Sequence, residues 1–194
     1  MFAGRYQTTI SRNVDAIYYA TNMGASILQC SWGLKSGVIS SDEQYLDERS
    51  IEANAFDHFI KTKRPGSPLN GGIVIFSAGN ETGPCGYPAA YPSVVCVTSL
   101  STDFTPSVFT NYGLPADITA PGGDNNYHKN GNQAGKVLST VPPIDGLYGY
   151  KAGTSMSCPH VSGVAALALS YAKKLGKTFE PDEFRSMLLA TVND

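Results

Sequence analysis

Apolar residues along the chain follow two patterns that alternate. Where they recur every three or four positions, an amphipathic helix is predicted, and where they form a short continuous run, a buried strand is predicted. The helical pattern occurs at residues 12–22, 41–64, about 155–171 and from Pro181 onward, and the continuous runs lie at 25–30, 72–76 and 94–99. Helices that alternate with apolar strands predict an α/β fold with a parallel sheet.

The helix predicted at residues 41–64 has recognisable ends, because Ser41-Asp42-Glu43 is a capping start and Pro65-Gly66 stops it. Its apolar positions are Tyr45, Leu46, Ile51, Ala55, Phe56, Phe59 and Ile60. His58 belongs to this helix, and we expect it at the surface or half-buried. The helix at 155–171 is so apolar that we expect it to be buried.

After residue 100 the chain is less regular. Residues 109–113 and 118–122 are expected to punctuate short strands, and strands are predicted at 136–141 and 148–151. Residues 124–135 are polar and rich in Asn and Gly, so we expect a mobile surface loop that includes a solvated His128.

The composition is that of a packed globular protein. With 194 residues, 42% of them hydrophobic and 15% charged, the chain is expected to form one domain. The net charge of -2 and the absence of a long basic run argue against nucleic acid and anionic membrane as partners. No apolar run approaches a membrane span, and the first five residues do not resemble the start of a signal peptide. The sequence therefore does not indicate in which cellular compartment the protein is found.

Four cysteines, Cys30, Cys85, Cys96 and Cys158, lack the spacing of a zinc site. Cys30 and Cys96 lie in apolar runs, where a buried free thiol is expected. Cys85 lies in the loop Gly83-Pro84-Cys85-Gly86, and we expect it to be the exposed thiol. The sequence alone assigns no disulfide to any of the four.

A turn of small residues, Gly153-Thr154-Ser155, stands directly before the apolar helix. Backbone N–H groups in a first helical turn lack intrahelical partners and carry the positive end of the helix dipole, so they favour negative charge beside the Ser155 oxygen. This arrangement suits acyl transfer. The alternative is that Thr154 or Ser155 only caps the helix.

Gly-Thr-Ser-Met-x-x-Pro-His-Val-x-Gly, from Gly153 to Gly163, resembles the nucleophile segment of the subtilisin-like serine proteases, the subtilases. The resemblance extends over roughly residues 12–192. It implies a three-layer α/β fold and a serine endopeptidase in which Ser155 forms the acyl-enzyme. Ser77-Ala78-Gly79-Asn80 resembles the family segment whose asparagine donates to the oxyanion, which implies that Asn80 acts together with the Ser155 N–H. Loss of such a donor costs about 2.7–4 kcal/mol.

The resemblance also implies a substrate site. Ser31-Trp32-Gly33 resembles the family's Ser-Leu-Gly segment, which pairs with a peptide or protein substrate as an added strand, with Trp32 in place of leucine. By position in the family, six residues would form the walls of the pocket that holds the substrate side chain preceding the scissile bond. They are Trp32, Gly33, Ala78, Gly79, Glu81 and Gly86. An acid at the rim would accept basic side chains besides large apolar ones; alternatively, Glu81 is a solvated loop carboxylate.

Cofactors are not required by this chemistry. Ala89, Tyr91 and Val94 match positions where some subtilases hold a cation with backbone carbonyls, so the resemblance allows a structural calcium or monovalent cation there.

Two family motifs are absent from the sequence: Asp-Thr/Ser-Gly and His-Gly-Thr-His, which carry the orienting acid and the general base. The resemblance places both upstream of Met1, so that residues 1–194 would be the C-terminal portion of an N-terminally truncated domain. His160 matches a structural histidine and does not replace the base. Without a base the serine hydroxyl is a poor nucleophile, and this chain alone is expected to be nearly inactive.

Three partners are therefore expected: the substrate, the missing N-terminal part of the domain, and a second copy of the chain. The last follows because the missing strand would leave residues 25–31 at a bare sheet edge, which invites self-association. A different class of function is a peptide-binding pseudoprotease that never had a base. A Rossmann-like binding domain is a third alternative, but no Gly-x-Gly-x-x-Gly follows a strand. The resemblance suggests export, and the residues themselves do not specify it.

Overall fold

The computed structural model describes residues 9–125 and 135–192. The elements of this part of the chain, in order, are α1 (Ile10–Asn22), β1 (Ile27–Cys30), α2 (Asp42–Lys61), β2 (Ile73–Ser77), β3 (Val95–Leu100), β4 (Ile118–Pro121), β5 (Val137–Thr140), a 3-10 turn (Pro143–Asp145), β6 (Tyr148–Lys151), α3 (Thr154–Lys174) and α4 (Pro181–Ala190). The predicted α/β class is confirmed. His128 and most of the predicted loop at 124–135 lie outside the described residues.

A four-stranded sheet with the order β1-β2-β3-β4 is the framework of the fold. Strands β2 and β3 are parallel with Ile75 opposite Val95, and β3 and β4 are parallel with Val97 opposite Ile118. All five residues of β2 are buried, as expected for a strand of a parallel sheet that is covered on both faces. The continuous apolar runs therefore predicted these strands correctly.

Strands β5 and β6 form a separate antiparallel hairpin. Leu138 lies opposite Tyr150 and Thr140 opposite Tyr148, and the side chains of this hairpin are largely exposed. The hairpin leads directly into α3, which begins three residues after β6 ends.

The chain divides into two compact units: unit 1 comprises Met1–Leu28, Ser40–Val74 and Ala165–Asp194, and unit 2 comprises Gln29–Ile39 and Ile75–Val164. Within unit 1, α1 packs on α2, and the rings of Tyr18 and His58 lie 5.0 Å apart. The Arg64 guanidinium lies 4.4 Å from the Phe59 ring centre and donates to the Phe59 and Thr62 carbonyls, which closes the C-terminal end of α2.

The buried face of α2 differs from the prediction. Leu46 and Ile51 are exposed, whereas Glu52 is 1% exposed. The buried face follows Tyr45, Glu52, Phe56 and Phe59, and the helix is kinked at Arg49, where φ is -132°. The Tyr45 hydroxyl donates to Glu52 Oε2 (3.1 Å), which lets a carboxyl occupy a core position. His58 is exposed, as predicted.

Helix α3 is less buried than its apolar sequence predicts. One stripe is buried and consists of Cys158, Val161, Ala165, Leu169 and Ala172. Leu167 is 73% exposed and Tyr171 62%, with Leu175 just beyond the end of the helix also exposed. The prediction of a buried helix is therefore correct for one face only. Among the described residues, no helix is long and apolar enough to cross a membrane.

Candidate active site

Ser155 is the second residue of α3 and is half-buried in unit 2. The turn before it is tightly constrained: Gly153 has φ +154° and donates its N–H to the Gly122 carbonyl (2.9 Å), and the Met156 N–H returns to the Gly153 carbonyl (2.8 Å). A φ in this region is rare for a residue with a side chain, so the position requires glycine. The Ser155 N–H belongs to the first helical turn, where the backbone offers no partner.

Asn80 follows β2 and meets the same turn. Its Oδ1 accepts from the Thr154 N–H (2.9 Å) and from the Thr154 hydroxyl (3.1 Å). Because a backbone N–H can only donate, the oxygen of the Asn80 amide must face Thr154. The Nδ2 group, a double donor, is thereby directed away from that contact.

Thr154 is fully buried and connects the two segments. Its hydroxyl lies 3.3 Å from both the N–H and the carbonyl oxygen of Gly79. The hydroxyl therefore accepts from the Gly79 N–H, and its own hydrogen is donated to the Gly79 carbonyl or to Asn80 Oδ1. This residue was considered from the sequence only as a helix cap, whereas the structure gives it a positioning role.

Ser31 lies beside the first turn of α3, where its hydroxyl donates to the Ser155 carbonyl (2.9 Å). The Gln29 amide in turn donates to the Ser31 hydroxyl (2.6 Å). The end of β1 is thus connected through side chains to the segment that carries the predicted nucleophile.

A pocket of about 100 Å³ opens next to Ser155. It is lined by Trp32, Gly33, Leu34, Lys35, Ser77, Ala78, Gly79, Asn80, Glu81, Gly86, Tyr87 and Ser155. A cavity needs about 10–15 Å³ to hold one water molecule, so this pocket has room for a large side chain. The structure brings every predicted pocket residue to this lining, together with Ser155 and Asn80, whereas Ser31 is not among the lining residues.

Two walls of the pocket meet through backbone contacts. The Leu34 N–H donates to the Tyr87 carbonyl (2.8 Å), and a side chain at Gly86 would collide with the Leu34 carbonyl. The Trp32 ring packs edge-on against Phe76, with centres 4.9 Å apart. Close approach of the two loops therefore explains the glycine at position 86.

Asn111 holds the loop that carries Glu81 and was missed by the sequence reasoning. It is fully buried; its Oδ1 accepts from the N–H groups of Glu81 (2.8 Å) and Gly83 (3.2 Å), and its Nδ2 donates to the Ala78 carbonyl (3.0 Å) and to Glu81 Oε2 (2.9 Å). The Asn80 N–H also donates to Glu81 Oε2 (3.1 Å). A turn-like Phe-Thr-Asn-Tyr-Gly segment gave no signal of where this amide would point.

The predicted cation positions are separate from the pocket lining. Ala89 and Val94 are buried, and the Tyr91 carbonyl accepts from the Val94 N–H (3.0 Å) within a turn. Within residues 9–125 and 135–192, no cluster of three His, Cys, Asp or Glu side chains could hold a metal ion. Cation binding by the carbonyls at positions 89, 91 and 94 stays a prediction.

His160 is exposed on α3, and its Nδ1 lies 2.7 Å from the Met156 carbonyl, to which it must donate. This bond fixes the ring to its own helix. The protonated Nδ1 leaves Nε2 as the basic nitrogen in the neutral ring.

The four cysteines are all buried free thiols. Cys85 is 6% exposed, so the prediction that it would be the exposed thiol is wrong. Its loop packs inward because the Cys85 N–H donates to the Tyr112 carbonyl (3.0 Å) and the Gly86 N–H to the Ala78 carbonyl (3.1 Å). Burial raises the pKa of Cys158, whose thiol lies 3.3 Å from the Ile75 carbonyl.

Comparisons with known proteins agree on one family. A sequence model described as the Subtilase family matches residues 3–194. The chain is 37% identical over 130 residues to an extracellular basic protease of Dichelobacter nodosus, an alignment covering 63% of this chain and 20% of that protein. It is 36% identical over 131 residues to the major intracellular serine protease of Bacillus subtilis (strain 168), covering 63% of this chain and 37% of that protein.

Solved structures give the same result. The prenylagaramide maturation protease PagA matches with a TM-score of 0.76 and 26% identity, over 99% of this chain and 61% of that chain. The chain thus spans less than two thirds of the length of each of these three proteins.

Proposed function

The chain belongs to the subtilase family, and from this premise we propose that it carries the nucleophile and the oxyanion donors of a serine endopeptidase. Ser155 Oγ would attack the carbonyl carbon of a peptide bond, and collapse of the tetrahedral intermediate would expel the amine and leave an acyl-enzyme on Ser155. Water would then hydrolyse this ester.

The observation that carries the proposal is the bond from the Thr154 N–H to Asn80 Oδ1 (2.9 Å). Because it fixes the amide oxygen, Asn80 presents Nδ2 as a preorganised donor, and the Ser155 N–H supplies a second donor at the positive end of α3. Such donors act without reorganisation while charge develops on the oxygen. A helix cap alone would require no asparagine oriented in this way.

The general base and its orienting acid are proposed to come from a segment outside these 194 residues. Support comes from the sequence, which contains neither of the two motifs that carry them in the family. His160 is a poor substitute because it matches the family's structural histidine rather than the base, and the bond from its Nδ1 to the Met156 carbonyl holds the ring on its own helix. The chain by itself would therefore hydrolyse peptides very slowly.

The substrate would be an extended peptide that pairs with Ser31-Trp32-Gly33, with the side chain before the scissile bond in the pocket. The pocket volume supports a large side chain. Glu81 adds a negative charge that Asn111 and the Asn80 N–H hold at the lining, and this supports acceptance of Arg or Lys besides large apolar residues. The charge of Lys35, also at the lining, opposes this preference.

Labelling by a fluorophosphonate tests the nucleophile and the missing base together. The reagent forms a bond between Ser155 Oγ and phosphorus and expels fluoride, and a base must take the hydroxyl proton. We expect rapid labelling at Ser155 in a longer product of the same gene that includes the base, and labelling slower by several orders of magnitude in the 194-residue chain. Ser155→Ala should abolish labelling in both, and Ser162→Ala, on the same helix, should not.

Equal labelling rates for the two proteins would refute the claim that the base is supplied from outside the chain. The pseudoprotease alternative predicts a different outcome, namely that even the longer product reacts no faster than free serine while still binding peptides. The oriented amide of Asn80 favours the enzyme, because a peptide groove alone needs no oxyanion donor.

Self-association is proposed for the chain in isolation. The basis is the position of β1 at the first place in the sheet order, with Ile27 and Leu28 only half-buried. Unpaired strand edges template pairing with another chain. Small-angle scattering that shows a monodisperse monomer, together with slow amide exchange at residues 27–30, would refute this proposal.

A further inference from the structure

Unit 1 contains a cavity of about 500 Å³ that the proposed function does not use. Its lining comes from two segments, one within residues 63–70 after α2 and one within residues 173–178 at the end of α3. None of the lining residues is acidic, and four of them are cationic: Lys63, Arg64, Lys173 and Lys177. We call this site the basic cavity.

Backbone hydrogen bonds fix the walls of the basic cavity. The Asn70 N–H donates to the Phe179 carbonyl (2.8 Å), and the Phe179 N–H donates to the Pro68 carbonyl (2.9 Å). Within the first segment, the Ser67 N–H donates to the Arg64 carbonyl (3.1 Å) and closes a turn. These bonds join the two segments, so the cationic residues of both are held around the same space.

Arg64 is the buried cation of the cavity. It is 6% exposed, and two of its nitrogens donate to the Thr62 carbonyl (2.7 Å) and the Phe59 carbonyl (2.8 Å). Among the residues that the structure describes, its Nε has no hydrogen-bond partner and no carboxylate lies within ion-pair distance of its guanidinium. Burial accordingly lowers the pKa of Arg64. A buried positive charge without a counter-charge is costly, and an anion in the adjoining cavity would compensate it.

The three lysines are exposed, and an exposed lysine is ordinarily solvated without binding anything. The helix dipole also accounts for lysines in the last turn of α3, where Lys173 and Lys174 both lie. It does not account for Lys63 and Lys177, which lie outside α2 and α3. Glu180 is engaged in the capping box of α4 and is not among the lining residues. The positive charge of the cavity is therefore not neutralised by its own lining.

We propose that the basic cavity binds a small phosphate compound with two or more negative charges, either free pyrophosphate or the diphosphate group of an ester. Lys63, Lys173 and Lys177 would act on the phosphate oxygens as positive point charges, which is how lysine binds phosphate in proteins. Arg64 would gain the counter-charge that it lacks within the described chain.

The chemistry of the cavity favours a compact anion over a nucleic-acid strand. Four positive charges surround one cavity, whereas the sequence has no long basic run and a net charge of -2, so it offers no extended track for a phosphate backbone. The inference concerns unit 1 alone and stands whether or not Ser155 is a nucleophile.

Isothermal titration calorimetry of the 194-residue chain with pyrophosphate in low-salt buffer tests the proposal. We expect one site per chain, and Lys63→Gln, Lys173→Gln and Lys177→Gln should each weaken binding about 5–10-fold because each removes a charge-assisted contact. Lys174→Gln is the matched control, since Lys174 is an exposed lysine in the same turn of α3 that does not line the cavity. It should change the affinity less than about twofold.

A parallel titration with adenosine diphosphate distinguishes the two sources of the diphosphate. Tighter binding of adenosine diphosphate would identify an ester as the ligand, and tighter binding of pyrophosphate would identify the free anion. Both results support the basic cavity as a diphosphate site.

Lysine acetylation followed by mass spectrometry needs no variant. At a pyrophosphate concentration about ten times Kd, about a tenth of the cavities remain free, so acetylation of Lys63, Lys173 and Lys177 should slow about tenfold while that of Lys174 is unchanged. The proposal fails if neither compound binds, if Lys174→Gln weakens binding as much as Lys173→Gln, or if pyrophosphate protects Lys174 as well as the lining lysines. Acetylation of the unsubstituted chain decides the matter even if a variant does not fold.

Discussion

Asn111 in unit 2 and Glu52 in unit 1 are both almost completely buried polar side chains, but their hydrogen bonding differs. Asn111 uses all four positions of its amide, with partners at Ala78, Glu81 and Gly83. Glu52 receives bonds from Tyr45, at Oε2, and from Asn13, while Oε1 has no hydrogen-bond partner in the part of the chain that the structure describes. A neutral group with every partner in place stabilises its surroundings, whereas a charged group that is only partly satisfied opposes folding.

The difference corresponds to what each region does. The Asn111 network shapes the loop that lines the pocket, where positions must be held precisely. Glu52 lies in the core of a helical region, where nothing in the structure requires a charge. The buried Asn111 therefore positions a pocket loop in unit 2, whereas the buried Glu52 in unit 1 has no such structural role.

The largest effect is expected from Asn111→Ala. Loss of the amide leaves the N–H groups of Glu81 and Gly83 and the Ala78 carbonyl without their partner, so the free energy of unfolding should fall by about 3 kcal/mol. Urea unfolding measures it. Asn54→Ala, an exposed position on α2, is the matched control and should change stability by less than about 0.5 kcal/mol. Similar values for the two variants would show that the network carries no stability.

Asn80 lies at the outer end of the same network, and its replacement should affect rate more than stability. Asn80→Ala is expected to slow fluorophosphonate labelling of the longer, active product about 100-fold, equivalent to about 3 kcal/mol of transition-state stabilisation. Asn80→Asp should be as slow, because a carboxylate supplies no N–H donor. An Asn80→Ala protein labelled at the unsubstituted rate would remove Asn80 from the oxyanion site.

Glu52→Gln is expected to stabilise the chain. Burial raises the pKa of Glu52, and bonds from Tyr45 and Asn13 and the charge of Arg49 only partly offset this. A raised pKa means that the folded chain holds the proton while the unfolded chain has lost it, so stability is greatest below the ordinary pKa near 4.5 and falls as the pH rises towards the folded value. Gln removes the charge, and the gain at pH 8 should be about 1–2 kcal/mol.

Thermal unfolding at pH 4 and pH 8 checks that prediction. The Gln variant should lose less Tm between the two pH values than the unsubstituted chain. Glu43→Gln, exposed in the first turn of the same helix, is the control and should leave the difference unchanged. An equal pH dependence in the Glu52→Gln chain would mean that Glu52 is ionised at no cost.

The smallest effect is expected at the start of α4. Glu180 and Glu183 form a capping box, and Asn70 Nδ2 also donates to Glu180 (2.8 Å). Glu180→Ala should cost about 1 kcal/mol in urea unfolding, since a cap and one side-chain bond are lost. Glu43→Ala, exposed in the first turn of α2, is the comparison, and equal costs would show that the box adds nothing beyond the helix dipole.

Much of the fold follows from the sequence because its signals are local. The continuous apolar run that became β3 could be nothing but a buried segment, and Pro181 with its acidic neighbours marked the start of α4. The order of apolar and amphipathic segments predicted the α/β class. Strand β1 is shorter than predicted, since Ala25 and Ser26 precede it, and α2 ends three residues before Arg64.

The site was predicted through motif residues, and its supporting residues were not. Ser155 and Asn80 are recognisable from their own segments, and both lie at the pocket. Asn111 was missed because its four bonds reach residues 28 to 33 positions away, which no local pattern records. Cys85 was misjudged because Gly and Pro indicate a loop but do not tell whether that loop packs inward.

The exposed side of α3 has a consequence for the life of the chain in a cell. Leu167, Tyr171 and Leu175 form a row of large apolar side chains in contact with water. Chaperones and quality-control proteases continuously sort chains by whether such surfaces are covered. A chain that leaves this row bare would be retained or degraded as an unfinished product, so its abundance would depend on how soon after synthesis the row is covered.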